Sequence, residues 1–550
     1  MTANASSSSA TSPPETPRGG EPVATALPPL PSAWRAGRDL DLLAPLRLLT
    51  GAEPPSGPAP VLAGAAAVAR RELAEALAVS NRAYGHEGAD ALARRLADPA
   101  TRVIVTGQQP GLLGGPLYTF AKAVAAARWA AALEVAGQPA VAVFWVATED
   151  HDWAEVSAAT ILASGGPRTF DLGPDPAPLT PVGMRTLGDG VTGVLDEIMA
   201  AVPNERYAEW LRTVARWYRP DARFGEAFCR LLAHMLGDRC PLLLDAMHPA
   251  LKAAQRPWLR RLVERRREAE EALAAREAEI TGRGYPLQVA PQRGVSPLFL
   301  LHRGERRRVE WRGEAGYALR GRDDAGGTVT DLLRVIDENP GVVTPGVLAR
   351  PAIQDAVLGS CLQVMGPGEL SYLAQVAAVY PVLEVEAPWT SLRPQTLVLE
   401  SHQAERLAEA GITLADLLGD RQRLDRALAS SEDGEPVAAV RARVEQALDD
   451  LKASSLAADP NLERPLEKTR EQILRALDLF AEKTTGALAR KNEVRSRRVE
   501  QLREACLPLG KLQERVVCAA HFQGKHGSRF AESYWEQMGL DPGTLQVISP

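Results

Sequence analysis

The sequence lacks the marks of several large protein classes. No apolar run approaches the roughly 18–20 residues of a membrane helix; the run at 140–147 is strand-sized. Residues 1–31 are rich in Ser, Pro and Ala and carry neither the basic nor the apolar region of a secretory signal, so they read as a disordered tail. There is no basic excess. The formal net charge is -6, with both signs spread along the chain, so no nucleic-acid partner and no membrane partner are expected. Cysteine is scarce. Cys229, Cys240, Cys361, Cys506 and Cys518 show no CxxC or zinc spacing and read as small buried hydrophobes in a reducing, cytoplasmic compartment. A P-loop, a GxGxxG fingerprint, a Ser nucleophile elbow, an HExxH pair and a kinase signature are also missing.

What is present is an ordinary globular composition, 45% hydrophobic and 24% charged, in a 550-residue chain too long for one compact core. A β-branched run at 102–105 leads into a Gly-rich turn at 106–116. An Ala-rich helical pattern follows to 133, then an apolar run at 140–146. Strand, turn, helix and strand make a βαβ unit, and such units build parallel sheets. Further strands are expected at 241–244, 361–365 and 382–385, with a long charged helix over 249–281 and a helix running from 366 to 380.

The predicted organisation is a disordered tail (1–35), a first part of an α/β core (36–285), a β-rich insertion (286–340), a second part of the core (341–400), a coiled-coil hairpin (401–510) and a C-terminal segment packing on the core (511–550). The hairpin rests on two seams at helical spacing, Val437, Val440, Val444, Leu448, Leu451 and Leu462, Leu466, Ile473, Leu477, Phe480, separated by a loop with Pro460. Such a seam is a natural surface for homodimerisation.

In a parallel sheet, ligands bind where the strands end and the helices begin. The turn 106–116 (TGQQPGLLGGP) lies at such a junction. Thr106, Gly107, Gln108, Gln109, Gly111 and Gly115, with Tyr118 and Lys122 on the next helix, are the candidate substrate- or nucleotide-binding residues. Exposed amides at a helix start favour anions. Glu149, Asp150, His151 and Asp152 form the candidate catalytic group, since four ionisable residues directly after an apolar strand are costly unless solvated, paired or used. A carboxylate beside His151 would orient it as a general base. No metal ligand set is assigned, although paired carboxylates also suit a hard divalent ion. A third cluster joins Arg350, Gln354 and Asp355 to Glu369, Tyr372 and Gln375 beside the Gly366 turn, with Arg350 as a carboxylate or phosphate clamp. His521 and His526 read as surface or packing residues.

TGQQPGLLGGPLYTFAKA, VFWVATEDHDWAEV, RPAIQD and GPGELSYLAQ together resemble the bacillithiol biosynthesis cysteine-adding enzyme (cysteine ligase) family, as does Leu512-Gln513-Glu514-Arg515 near the end. Cys361-Leu362-Gln363 and Lys525-His526-Gly527 depart from the usual pattern. The resemblance implies a nucleotidyltransferase-like Rossmann core with inserted connecting regions and a coiled coil joining two subunits. It also implies ligation of cysteine to glucosaminyl-malate. Joining a carboxylate to an amine in water is uphill, so an activated acid is expected. ATP with Mg is the candidate cofactor, and the mode of activation stays open. A related amide- or adenylate-forming enzyme, or a non-catalytic ligand-binding dimer, is the alternative.

Overall fold

The computed structural model describes residues 23–550 apart from 25–26, 56, 58–59, 61, 203, 291–292, 315 and 431–436. Most of the expected tail therefore lies outside the described residues. Its boundary at 35 is corrected. Pro29–Arg35 is a helix, because Leu30, Ala33 and Trp34 recur at helical spacing and are all buried.

Six strands form one all-parallel sheet: β1 (Arg47–Leu49), β2 (Arg102–Gln108), β3 (Ala140–Val146), β4 (Leu242–Asp245), β5 (Ser360–Met365) and β6 (Trp389–Leu392), in the order β1-β6-β5-β2-β3-β4. The strands read as unbroken apolar runs because both faces are covered. Successive side chains alternate. Val103, Val105, Val141, Val143 and Trp145 pack in one core with Leu73, Leu77 and Leu96. Ile104, Ala142, Phe144 and Val146 pack in another with Phe120, Val124 and Phe228.

Three expectations need correction. The strand at 382–385 is a short helix, Val379–Leu383, because Val379, Val382 and Leu383 share a buried helical face and Glu384 ends it at φ 55°. The sixth strand is instead Trp389–Leu392. The long helix at 249–281 is two, Pro249–Glu264 and Arg266–Gly282, which break at Arg265. The β-rich insertion recruits Val343–Pro345 from beyond its expected end, giving a five-stranded antiparallel sheet whose second strand in the chain is Glu305–Arg312.

The chain divides into two compact units. The larger holds 23–399 and 508–550. In it the C-terminal segment packs on the core, where Glu514 takes both Arg393 guanidinium nitrogens at 2.7 Å and the amide of Thr396 at 2.9 Å. The described part of the other unit spans 400–507. Its helices Val437–Ala458 and Glu463–Cys506 run antiparallel, since Arg441–Asp478, Asp449–Arg470 and Lys452–Glu467 pair in steps closing on the turn. Leu448 is buried in its seam, whereas Leu451, Leu462, Ile473 and Phe480 stay exposed.

Candidate active site

The Gly turn is shaped first by its own packing. A Cβ on Gly107 would lie 2.6 Å from the Trp145 carbonyl oxygen on β3, and one on Gly111 would lie 2.7 Å from the Gly115 Cα. Gly114 and Gly115 have φ of +86° and +68°, which glycine adopts without strain. The amides of Gly111, Gly114 and Gly115 donate to Gln109, Gly111 and Leu112 carbonyls within the turn. That of Leu117, first in the helix Leu117–Val135, donates to Val517. Several of the amides expected to cradle phosphate are thus spent on hydrogen bonds within the protein. The turn's contribution to a ligand comes from its two glutamine side chains.

A cavity of about 250 Å³ opens at the carboxyl edge of β2, β3 and β5. The structure brings Gly107, Gln108, Gln109, Glu149, Asp150, Arg350, Glu369 and Tyr372 together on its wall. Arg306 and Glu155 also line it, and sequence reasoning passed over both. Gln108 Nε2 donates to Glu155 at 2.7 Å, and Gln109 Nε2 donates to Glu155 at 2.8 Å and to Asp150 at 3.1 Å. Arg306 reaches Asp150 at 3.3 Å from the inserted sheet. It is held by Thr344 Oγ1 at 3.0 Å, the Pro345 carbonyl at 3.1 Å and the Phe299 ring face at 3.8 Å. Arg350 Nη1 donates to Gln354 at 3.1 Å and Nη2 to the Tyr372 hydroxyl at 3.3 Å. Neither partner is a carboxylate, and among the described residues this half-buried guanidinium makes no direct ion pair, although Glu369 and Glu149 lie near enough to favour its charge.

Beneath the cavity Glu149 pairs with Lys252 at 2.6 Å, both side chains being 2% exposed. Its other oxygen, Oε1, is buried without a donor among the described residues, and so is Gln109 Oε1. Orphaned buried acceptors are costly and call for a donor. Lys122 Nζ is also buried. It pairs with Glu369 at 2.5 Å and donates to the Gly107 carbonyl and Gln108 Oε1, each at 2.8 Å. Burial pushes the Lys122 pKa down, and Glu369 opposes that shift.

Other expected residues lie off the cavity wall. Thr106 Oγ1 donates to the Val364 carbonyl at 2.8 Å and pins β2 to β5. Asp152 caps the short helix Trp153–Val156 by accepting the Glu155 amide. His151 packs edge-on to Phe299, and its Nδ1 lies 3.4 Å from Arg306 Nη1. Burial and then Arg306 lower its pKa, so the ring is neutral at pH 7 and accepts from the guanidinium. Gly111 and Gly115 meet in the turn, and Tyr118 stacks near Lys122 and Arg393. Gln354 and Asp355 belong to a buried network with Gln363 and Tyr380. Burial raises the Asp355 pKa to about 7 while the Tyr380 hydroxyl, 2.5 Å away, opposes it. Gln375 bonds the Val289 backbone. His521 is buried against Tyr207.

Fold and cavity define a Rossmann-like α/β protein with a polar, charge-paired ligand site at its strand ends and a helical-hairpin extension. The chain belongs to the bacillithiol biosynthesis BshC family: the family's N-terminal Rossmann-like domain matches residues 61–394 and its C-terminal coiled-coil domain matches 396–548. A relative from Salinibacter ruber is 30% identical over 491 residues, covering 87% of this chain and 88% of its own. One from Solibacter usitatus is 31% identical over 453 residues, covering 81% and 84%. One from Chlorobaculum tepidum is 27% identical over 478, covering 83% and 84%. Each bears the name "Putative cysteine ligase BshC".

Proposed function

We propose that this chain is a carbon–nitrogen ligase that joins cysteine to glucosaminyl-malate to form bacillithiol. The observation that carries this beyond the family is the pairing pattern of the cavity. The cavity offers a half-buried Arg350 that makes no direct ion pair with a carboxylate among the described residues. It also offers Glu149 Oε1 and Gln109 Oε1, acceptors with no donor among the described residues. A small ligand with a carboxylate at one end and amine or hydroxyl donors at the other complements both, as an aminosugar malate does. Arg350 takes the carboxylate in a fork geometry that Lys cannot copy. Asp150, fixed by Gln109, Arg306 and the His151 amide, holds the donor end in register. The seam residues exposed on the hairpin support a homodimer, and the family role supports a cytoplasmic enzyme.

The acyl group of cysteine has to be activated before amide formation. ATP with Mg would supply an acyl phosphate or acyl adenylate when bound.

Ligand-dependent melting tests the reading. Glucosaminyl-malate at millimolar concentration raises the melting temperature of the wild type. Arg350→Ala, with one charge-assisted contact removed, needs about 10–100-fold more ligand for the same shift. A folded wild type that shows no shift at saturating ligand contradicts the assignment.

A further inference from the structure

Three of the four carboxylates on the cavity are held by a cation: Glu149 by Lys252, Asp150 by Arg306 and Glu369 by Lys122. A carboxylate tied to a cation is a weak base. Glu155 differs. Among the described residues no Lys, Arg or His makes an ion pair with it, and its oxygens are fixed instead by the neutral amides of Gln108 and Gln109. It lines both this cavity and a second one of about 270 Å³, which Lys511 and Arg515 also line. A reactant entering from either side meets the same carboxylate. The residue is solvent-accessible, so a ligand can touch it.

The geometry points to Glu155 as the catalytic base that takes the proton from the attacking amine, a role that rests on the ligase reading above. In that step the amine nitrogen bonds to the acyl carbon of an acyl phosphate or acyl adenylate. The bond from that carbon to the leaving oxygen breaks, and the oxygen departs with the electron pair. The proton shed by nitrogen goes to a Glu155 oxygen. His151 is a positioning residue: its neutral ring steadies Arg306, and through it Asp150.

The groups around Glu155 suit the task. Asp150 and Asp152 face it from its own segment, Tyr118 and Lys122 from the helix Leu117–Val135, and Glu369 and Tyr372 from Pro367–Ala377. Crowding by protein, then repulsion from Asp152 and Asp150, raises its pKa to about 7, with Lys122 opposing. A carboxyl with that value is about half ionised at pH 7, and a base poised near the working pH transfers protons best.

The test is the pH dependence of thiol formation by the full-length wild type, Glu155→Gln and His151→Asn, with cysteine, glucosaminyl-malate and Mg-ATP. Wild-type kcat/KM climbs with pH and levels off above about 7. Glu155→Gln lowers kcat about 10²–10⁴-fold, changes KM little and loses that limb. His151→Asn keeps the limb with a smaller loss. An infrared titration of the proteins alone gives a readout free of turnover. The wild-type-minus-Glu155→Gln difference shows one carboxyl losing its proton near pH 7, and Asp355 cancels because both proteins retain it. Glu155→Gln with wild-type kcat and an intact acid limb overturns the base assignment alone. No product from the wild type overturns the ligase reading and this role with it, whereas the infrared difference would still stand.

Discussion

Replacing Lys252 with Met isolates the buried pair under the cavity. Lys252 Nζ sits 2.6 Å from Glu149 Oε2 and 3.5 Å from Gln255 Oε1, in a place where both charged side chains are 2% exposed. The other Glu149 oxygen already lacks a donor. Taking away the ammonium leaves a buried carboxylate with no direct ion-pair partner among the described residues, only the more distant charges of Arg306 and Arg350, which costs about 3–5 kcal/mol. The unit of roughly 400 residues that contains the pair unfolds with an entropy of about 0.8–0.9 kcal/mol/K. The expected fall in its melting temperature is therefore about 4–6 °C, read by differential scanning calorimetry. Adding Glu149→Gln to the same chain removes the stranded charge and restores more than half of the loss. A fall below about 1 °C for Lys252→Met, or a double variant weaker than the single one, refutes the reasoning.

Further outcomes follow from the same contacts. Gly107→Ala sets a methyl 2.6 Å from the Trp145 carbonyl and should cost about 1–3 kcal/mol in thermal unfolding, with the turn displaced and ligand affinity reduced. His86 is buried with Nε2 3.0 and 3.1 Å from the Cys240 and Pro241 carbonyls, while Nδ1 accepts from the Gly88 amide. These partners fit only the neutral Nε2–H ring, and burial lowers its pKa. The folded state therefore resists protonation. This contribution to stability is complete above about pH 6.5 and is lost as pH falls through that value. A melting curve of His86→Gln that keeps the full wild-type slope between pH 7 and 5 counts against it.

Much of the fold was legible because the signals were local. Residues 102–146 carry strand, turn, helix and strand in one stretch, and continuous apolar strands report burial on both faces. The coiled coil showed through its seams. The short helix at Val379–Leu383 was missed because Val382, Leu383 and Val385 look the same as a buried strand or as helix until their neighbours are known. The site was half legible. Gln109, Asp150 and Arg350 stand in conspicuous motifs and do line the cavity. The packing behind the glycines was not legible, because sequence cannot show that Gly107 meets Trp145 or that amides of the turn bond its own carbonyls. Arg306 carries no local signal, since it arrives from a separate sheet about 155 residues away in sequence. Glu155 had a weak one, three residues after Asp152, in the spacing that a helix-capping pair also shows.

In the proposed reaction, the cavity at the ends of β2, β3 and β5 ligates an amine to an activated cysteine. The most direct measurement mixes purified full-length protein with cysteine, glucosaminyl-malate and Mg-ATP and follows the thiol product by mass, beside the Arg350→Ala protein. Bacillithiol is expected to form only with the wild-type protein present and to fall at least tenfold with Arg350→Ala. Product formed equally by both proteins, or none from a folded wild type, contradicts it.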